Sequence, residues 1–421
     1  MRVRLDYGRD GLEVELPDVR TTVIEPAYRA ALPDPHAALM RALEAPQGSR
    51  PLREIVRPGR RIAISVCDVT RAQPRRDTLR ALFEAMPGVR PDDVTILMAT
   101  GTHRGNTPAE LDEMLGADLV RTYPVVNHDA RDPAALTFVG TTSRGVPVHL
   151  NRLWVEADVR ITTGFVEPHF FAGFSGGPKM VAPGLAGLDT VLVLHDAPRI
   201  GHPNATWGVT EGNPIHDDIR EIARMTGVQF AIDVTLNREQ RITGVFAGDL
   251  LTEHREACAA AKRDAMQAVD SAFDVVLTTN SGFPLDQNLY QAVKGMSAAA
   301  KVVKPGGAIV CAAECCDGVP AHGSYGELLG SRSSPAELLE MINTPGSAVP
   351  DQWQVQIQAQ VQARARVKVK AGGLAPQDLR AAHFEPIDDV ALAVTDALRA
   401  AGQDATLCVL PRGPQTIPYI R

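Results

Sequence analysis

The sequence predicts an α/β protein of two domains with largely parallel sheets, and three observations carry that expectation. Short β-rich runs bounded by turn residues alternate with longer amphipathic stretches along most of the chain. The residues best suited to chemistry follow directly on those runs, where a parallel sheet gathers its ligands. Finally, 421 residues, 44% apolar and 22% charged, are ordinary for a globular protein and enough for two or three substantial cores.

Taken in order, Arg2–Glu15 reads as a hairpin turning about Gly8–Gly11. Strands are predicted at Arg61–Val66, Val94–Ala99, Asp158–Thr163 and Asp274–Thr279, and helices at Arg75–Met86, Pro108–Leu115 and Asp286–Val303. Alanine-rich, charged Leu250–Ser271 reads as a helix leading to a second unit. An N-terminal cofactor-binding α/β domain is therefore expected over residues 1–270 and a C-terminal α/β domain over 271–421. Gly306–Val310 reads as a buried strand running into Cys311-Ala-Ala-Glu-Cys315-Cys316, whose thiols are expected to be small buried hydrophobes rather than metal ligands. Gln352–Gln362 alternates with period two, yet Trp353, Ile357 and Val361 also share a helical face, which leaves strand and helix both open. Thr344–Pro350 is short enough to be a loop.

Composition narrows the function. A net charge of −7 and the lack of any Lys/Arg run argue against nucleic acid as a partner. The start, Met1-Arg-Val-Arg-Leu-Asp-Tyr-Gly, carries charges where a secretory signal needs an apolar core, and no stretch has the apolar length of a membrane span, so a cytoplasmic location is expected. Six cysteines without CxxC spacing are too few to staple a chain of this size, and reduced thiols are expected.

The densest chemistry lies in Glu167-Pro-His-Phe-Phe-Ala-Gly-Phe-Ser-Gly-Gly-Pro-Lys179 and the apolar run that ends at His195. A glycine-rich turn leading to a lysine can wrap backbone N–H groups and one ammonium around a phosphate, and the flanking imidazoles offer a metal ligand and an acid/base. That points to a nucleotide-like cofactor with a metal. The loop is no Walker A motif, because Pro178 separates glycine from lysine and Met180 stands where a magnesium-binding Ser/Thr would be. His103 and His169 each lie just past a predicted strand. Arg71 in Asp68-Val-Thr70-Arg71 and Lys294 in Tyr290-Gln291-Ala-Val-Lys294 suit a carboxylate, the first as a fork and the second as a point charge. Residues 290, 291 and 294 share one side of their helix.

Together these segments resemble the nickel-dependent lactate racemase family of 2-hydroxyacid racemases and epimerases. The landmarks are Asp68-Val-Thr-Arg71, Gly101-Thr-His103-Arg, Pro168-His169 through Lys179, His195, Gly212-Asn-Pro-Ile-His216, Tyr290-Gln-Ala-Val-Lys294 and Asp351-Gln-Trp353. The resemblance implies a nickel-pincer nucleotide, pyridinium-3-thioamide-5-thiocarboxylic acid mononucleotide with nickel, covalently linked to Lys179 and completed at the metal by His195. It implies His103 and His169 as the acid/base pair, and Arg71, Gln291 and Lys294 as holders of the substrate. Asp68, Thr70, Ser175, Gly176, Gly177, Tyr290 and Trp353 are expected at the cofactor and pocket walls.

The expected protein is thus an isomerase that inverts a 2-hydroxy acid, lactate-like or larger, by hydride transfer in a cleft between its domains, served by cofactor-biosynthesis proteins. A non-catalytic binding protein or carrier for a phosphorylated pyridine cofactor is the alternative. One departure bears on substrate. Where the family's loop often reads Gly-Gly-Arg-Lys-Ser, this chain has Gly177-Pro178-Lys179-Met180, so any role of that arginine is missing.

Overall fold

The computed structural model describes every residue except 19, 28, 321, 322, 345 and 347; the last two belong to the expected Thr344–Pro350 loop and lie outside the described residues. The chain divides into two compact units. One comprises Tyr28–His195 and Pro203–Asp264, the other Met1–Ala27, Asp196–His202 and Ala265–Arg421. Both are α/β with largely parallel sheets. Among the described residues no helix is long and apolar enough to cross a membrane.

In the unit that holds the lysine loop, six strands lie in the order Ile242–Gly248, Phe230–Leu236, Val159–Phe165, Ile62–Cys67, Val94–Ala99, Val125–Asn127. All neighbours are parallel except the first pair, joined antiparallel. Ile62–Cys67 is buried at all six positions, as a central strand covered on both faces must be. From it the chain steps outward through Val94–Ala99 and Val125–Asn127, then returns to its other side at Val159–Phe165. That reversal opens a crevice at the carboxyl ends of these strands, where open α/β sheets bind ligands.

The helices around this sheet start on signals legible in the residues. Pro108–Leu115 is preceded by Thr107, whose hydroxyl accepts from Glu110 N–H while the Glu110 carboxylate accepts from Thr107 N–H, a reciprocal cap. Pro214–Thr226 opens on the Asn213 cap and closes at Gly227, at φ +70°, the left-handed conformation glycine adopts without penalty.

The other unit has its own parallel sheet, ordered Glu385–Pro386, Arg366–Lys370, Val303–Ala312, Phe273–Thr279, Leu407–Leu410, Thr21–Val23. The N-terminal hairpin forms as expected, pairing Arg2–Leu5 with Leu12–Glu15 and turning Val3, Leu5 and Val14 into the core. Cys311 is buried within its strand and Cys315 just beyond it, whereas Cys316 is exposed.

Two expected elements come out differently. The helix expected over Leu250–Ser271 ends at Ala265, and Met266–Val269 is a strand paired parallel to Ile417–Ile420. Its partner is remote in sequence, so local periodicity holds no trace of it. The helix expected from Asp286 begins only at Leu289, capped by Asn288, and ends at Ala299.

Gln352–Arg364 is a helix, and it is buried nearly all round. Its glutamine amides donate to neighbouring carbonyls: Gln354 Nε2 to Tyr290 O, Gln356 Nε2 to Ala197 O at 2.9 Å and Gln358 Nε2 to Ala382 O at 2.9 Å; Gln358 Oε1 accepts from Tyr325 Oη, while Oε1 of Gln354 and of Gln356 is buried without a partner among the described residues. Amides alternating with apolar residues suit a helix whose every side meets protein and whose neighbours present carbonyls. Gln358→Leu would orphan the buried Tyr325 hydroxyl and leave the Ala382 carbonyl only the longer 3.4 Å bond from Gln362 Nε2, so equilibrium denaturation should show a loss of about 1–3 kcal/mol.

Candidate active site

Three adjacent strands deliver the polar residues of the lysine-bearing unit. Ile62–Cys67 leads into Asp68, Thr70 and Arg71; Val94–Ala99 leads into His103; Val159–Phe165 leads into His169 and the glycine loop. The loop is seated on the ends of the other two strands. Ser65 Oγ donates to Met180 O at 2.7 Å, Cys67 Sγ lies 3.6 Å from Met180 Sδ, and Gly101 N–H donates to Gly184 O at 2.9 Å. Met180 therefore serves as an anchor in the sheet.

His103 is half exposed and its Nδ1 lies 2.8 Å from Oδ2 of Asp68, whose side chain is only 4% accessible. Thr70 Oγ1 donates to the other carboxylate oxygen at 2.7 Å. Burial opposes the Asp68 charge, but the hydrogen bond and charge of His103, together with Thr70 and Arg71, outweigh it and hold the carboxyl below its usual range. A carboxylate on Nδ1 selects the tautomer whose Nε2 carries the lone pair. Asp68, expected at the cofactor wall, thus orients a histidine. The turn that presents it is shaped by the buried Arg75, whose Nε donates to Cys67 O at 2.8 Å and whose guanidinium also reaches Asp68 O and Arg71 O.

The opposite arrangement holds at His169. It sits in a two-residue strand, Pro168–His169, paired with Gly173–Phe174, and its Nδ1 accepts the Ala172 N–H at 3.2 Å. The neutral ring then carries its proton on Nε2. The two imidazoles are thus set in opposite tautomers by their neighbours.

Lys179, His195 and His169 gather round one ring, Phe171. The His169 ring lies 4.5 Å from it edge-on, the His195 ring 5.1 Å edge-on, and Lys179 Nζ 5.9 Å from its centroid. From Phe170 to Met180 every residue is buried except Lys179, which is half buried. His195 closes the helix Leu188–Leu194, with Nδ1 on the Val191 carbonyl at 2.7 Å. Burial lowers its pKa to about 4, against the pull of that carbonyl and with help from the Lys179 charge.

His195 is thus a neutral imidazole with its lone pair on Nε2, the form that ligates a borderline metal. Among the described residues no group of three or more His, Cys, Asp or Glu side chains could hold a metal between them. A metal bound here would draw its other donors from a cofactor, which is what one imidazole beside one lysine fits.

Sequence reasoning missed what holds the loop. Asn213 Nδ2 donates to Phe171 O at 2.8 Å, His216 Nδ1 to Ala172 O at 3.0 Å and His254 Nε2 to Ser175 O at 2.9 Å, while Gly177 N–H donates to Asp233 Oδ2 at 2.7 Å. All four side chains are buried. Gly176 and Gly177 have φ of +71° and +50°, and a Cβ on Gly177 would fall 2.4 Å from the His254 ring. Burial leaves His254 at about 4 and His216 well below its ordinary value, so both stand uncharged behind the loop. Asn213 and His216 belong to a motif visible in the sequence, but Asp233 and His254 carry no local signal.

The remaining expected residues belong to the other unit. Tyr290, Gln291 and Lys294 are half buried on one face of Leu289–Ala299, whose opposite positions Ala292, Val293, Gly295 and Met296 are buried. Trp353 Nε1 donates to Tyr290 Oη at 3.2 Å. The helix of Trp353 thereby braces the helix that carries Gln291 and Lys294.

Two largely parallel sheets, one with a lysine loop and two oppositely set imidazoles at its strand ends, define an α/β protein with an enzyme-like site at the carboxyl ends of its strands. Comparison with known proteins gives the family. Residues 7–208 match the lactate racemase N-terminal domain and 268–417 the lactate racemase C-terminal domain. The lactate racemase of Thermoanaerobacterium thermosaccharolyticum is 35% identical over 422 residues, covering 99% of this chain and 98% of the relative; that of Lactiplantibacillus plantarum is 37% identical over 377 residues, covering 89% and 88%. The lactate racemase apoprotein structure from the former organism superposes over 100% of both chains with a TM-score of 0.92 at 34% identity. A Thermotoga maritima protein, at TM-score 0.68 and 18% identity over 93% of this chain, shares the fold. The chain belongs to the lactate racemase family, a family of isomerases.

Burial raises Asp233 from an ordinary 3.8 to about 7 against the pull of Gly177 N–H. The folded protein therefore keeps a proton that the unfolded chain releases, and this contribution to stability is full below pH 3.8 and lost as pH rises to about 7. Asp233→Asn cannot ionise. Its Tm relative to wild type should climb across that window and level off above it, in thermal scans at a series of pH values; a difference that stays constant with pH would contradict the assignment.

Proposed function

We propose that the protein racemises or epimerises a 2-hydroxy acid at C2 with a nickel-pincer nucleotide carried on Lys179. The gathering of Lys179, His195 and His169 round Phe171 supports this reading most directly. The relatives named lactate racemase make a lactate-like acid the first candidate; the Gly177-Pro178-Lys179-Met180 departure keeps larger acids open. When bound, such a group supplies what no side chain offers, a place for the C2 hydrogen to leave as hydride and return to the other face of a planar keto acid.

Each residue has a part in this reading. Lys179 anchors the cofactor by a thioamide and His195 Nε2 ligates its nickel, both within residues 1–270, to which we assign cofactor binding, with 271–421 as the C-terminal domain. Thr70, Ser175, Gly176, Gly177, Tyr290 and Trp353 line the cofactor and its surroundings. Arg71 grips the substrate carboxylate as a fork, and Gln291 and Lys294 orient the rest. His103, with its lone pair on Nε2, takes the hydroxyl proton from one enantiomer, and the Asp68 carboxylate stabilises the imidazolium that forms. His169, with its proton on Nε2, stands as the partner that gives one back, and the two exchange roles when the reaction runs in reverse. Cofactor-making proteins are the expected partners, and the cytoplasm the expected compartment.

Co-expression with a cofactor-making system, followed by intact-mass and metal analysis, tests the reading. Wild type should carry a covalent adduct on Lys179 with stoichiometric nickel, Lys179→Ala neither, and His195→Ala an adduct with poor nickel retention. Reversible binding without an adduct would instead indicate a carrier. With chiral chromatography as the assay, Asp68→Asn should keep its adduct and KM while kcat falls by about 10²–10⁴-fold. Unchanged kcat would remove His103 from the proton path.

A further inference from the structure

The carboxyl of Asp233 is wedged among glycines. A Cβ on Gly164 would fall 2.6 Å from Oδ1, and one on Gly176 would fall 2.8 Å from Oδ2. Oδ2 accepts the Gly177 N–H; Oδ1 is buried without a partner, as are both carboxyl oxygens of Glu253. Burial, reinforced by Asp233 and Asp249, pushes Glu253 well above its ordinary value. The other titratable groups that feel Asp233 among the described residues are Cys258 on the helix of Glu253 and Cys67 at the end of Ile62–Cys67, two strands away. None of these neighbours is a cation, so among the described residues Asp233 is no half of an ion pair. What it does is meet one backbone N–H, two residues before Lys179, in a turn of two left-handed glycines.

A fold keeps an acid in so dry a place at a cost of several kcal/mol if it is ionised, and stability alone would favour an apolar residue there. The compensating interaction is local to the lysine. We propose that Asp233 is a positioning residue for Lys179, its carboxyl oxygen fixing the Gly176–Gly177 turn so that the lysine amine is presented to an incoming phosphorylated pyridine. This rests on the reading of Lys179 as the cofactor's attachment point. The requirement is for an acceptor oxygen at that spot rather than for a charge, and a carboxamide supplies the same oxygen.

The test uses the unloaded full-length protein and pyridoxal 5′-phosphate, a phosphorylated pyridine aldehyde, as probe. It forms an imine with a lysine amine, and borohydride makes the mark permanent for peptide mass analysis. Wild type should be labelled at Lys179 and Asp233→Asn at a rate within about twofold of it. Asp233→Leu, of similar size but with no acceptor, should be slowed tenfold or more at Lys179 with surface lysines labelled as before. Should Asp233→Leu not fold, Asp233→Ser takes its place, since its hydroxyl is too short to reach the Gly177 N–H. Equal labelling of Lys179 in Asp233→Leu or Asp233→Ser, or slow labelling in Asp233→Asn, overturns the inference. Failure of the underlying reading looks different: the phosphate-dependent label would persist in Lys179→Ala, showing that another residue receives the probe.

Discussion

A glycine-rich loop buried along nearly its whole length must find partners for its backbone, and the two-residue ladder of Pro168–His169 with Gly173–Phe174 meets only part of that need. Four side chains from other elements provide partners at Phe171, Ala172, Ser175 and Gly177. Everything the site needs follows from that clamp. It lets the backbone turn through two left-handed glycines, seats Phe171 where His169, His195 and Lys179 converge, and leaves Lys179 the one residue from Phe170 to Met180 that is only half buried. A flexible loop could carry the same residues without holding them in common geometry.

The charges around the site follow a division of labour. Behind the loop, burial strips charge from His195, His216 and His254, which leaves lone pairs and hydrogen bonds rather than cations. In front, Asp68 keeps its charge because His103 and Thr70 meet both of its oxygens. One imidazole thus faces a carboxylate while another is buried against a backbone carbonyl, although the two side chains are chemically identical. Environment separates them.

Much of this was legible in the sequence because it is local. The alternation of strand and helix, the hairpin at the N-terminus and the arrival of His103 and His169 after strands all depend on neighbours within a few residues. What escaped depends on distant partners. Met266–Val269 becomes a strand only because Ile417–Ile420 lies beside it; Asp68 faces His103 across a gap of 35 positions, and Gly177 meets Asp233 across 56. The glutamine-rich helix was undecidable for another reason. A helix buried on all sides has no polar face, so the periodicity that identifies most helices is absent from it.

The partial burial of Lys179 within this stretch also orders events in time. Its neighbours reach their places only when strands and helices drawn from nearly a hundred residues have assembled, so the geometry that singles out this amine does not exist in a nascent chain. Any group joined to it must meet a finished scaffold. In the proposed reading, attachment of the cofactor is then a reaction between a folded surface and a visitor.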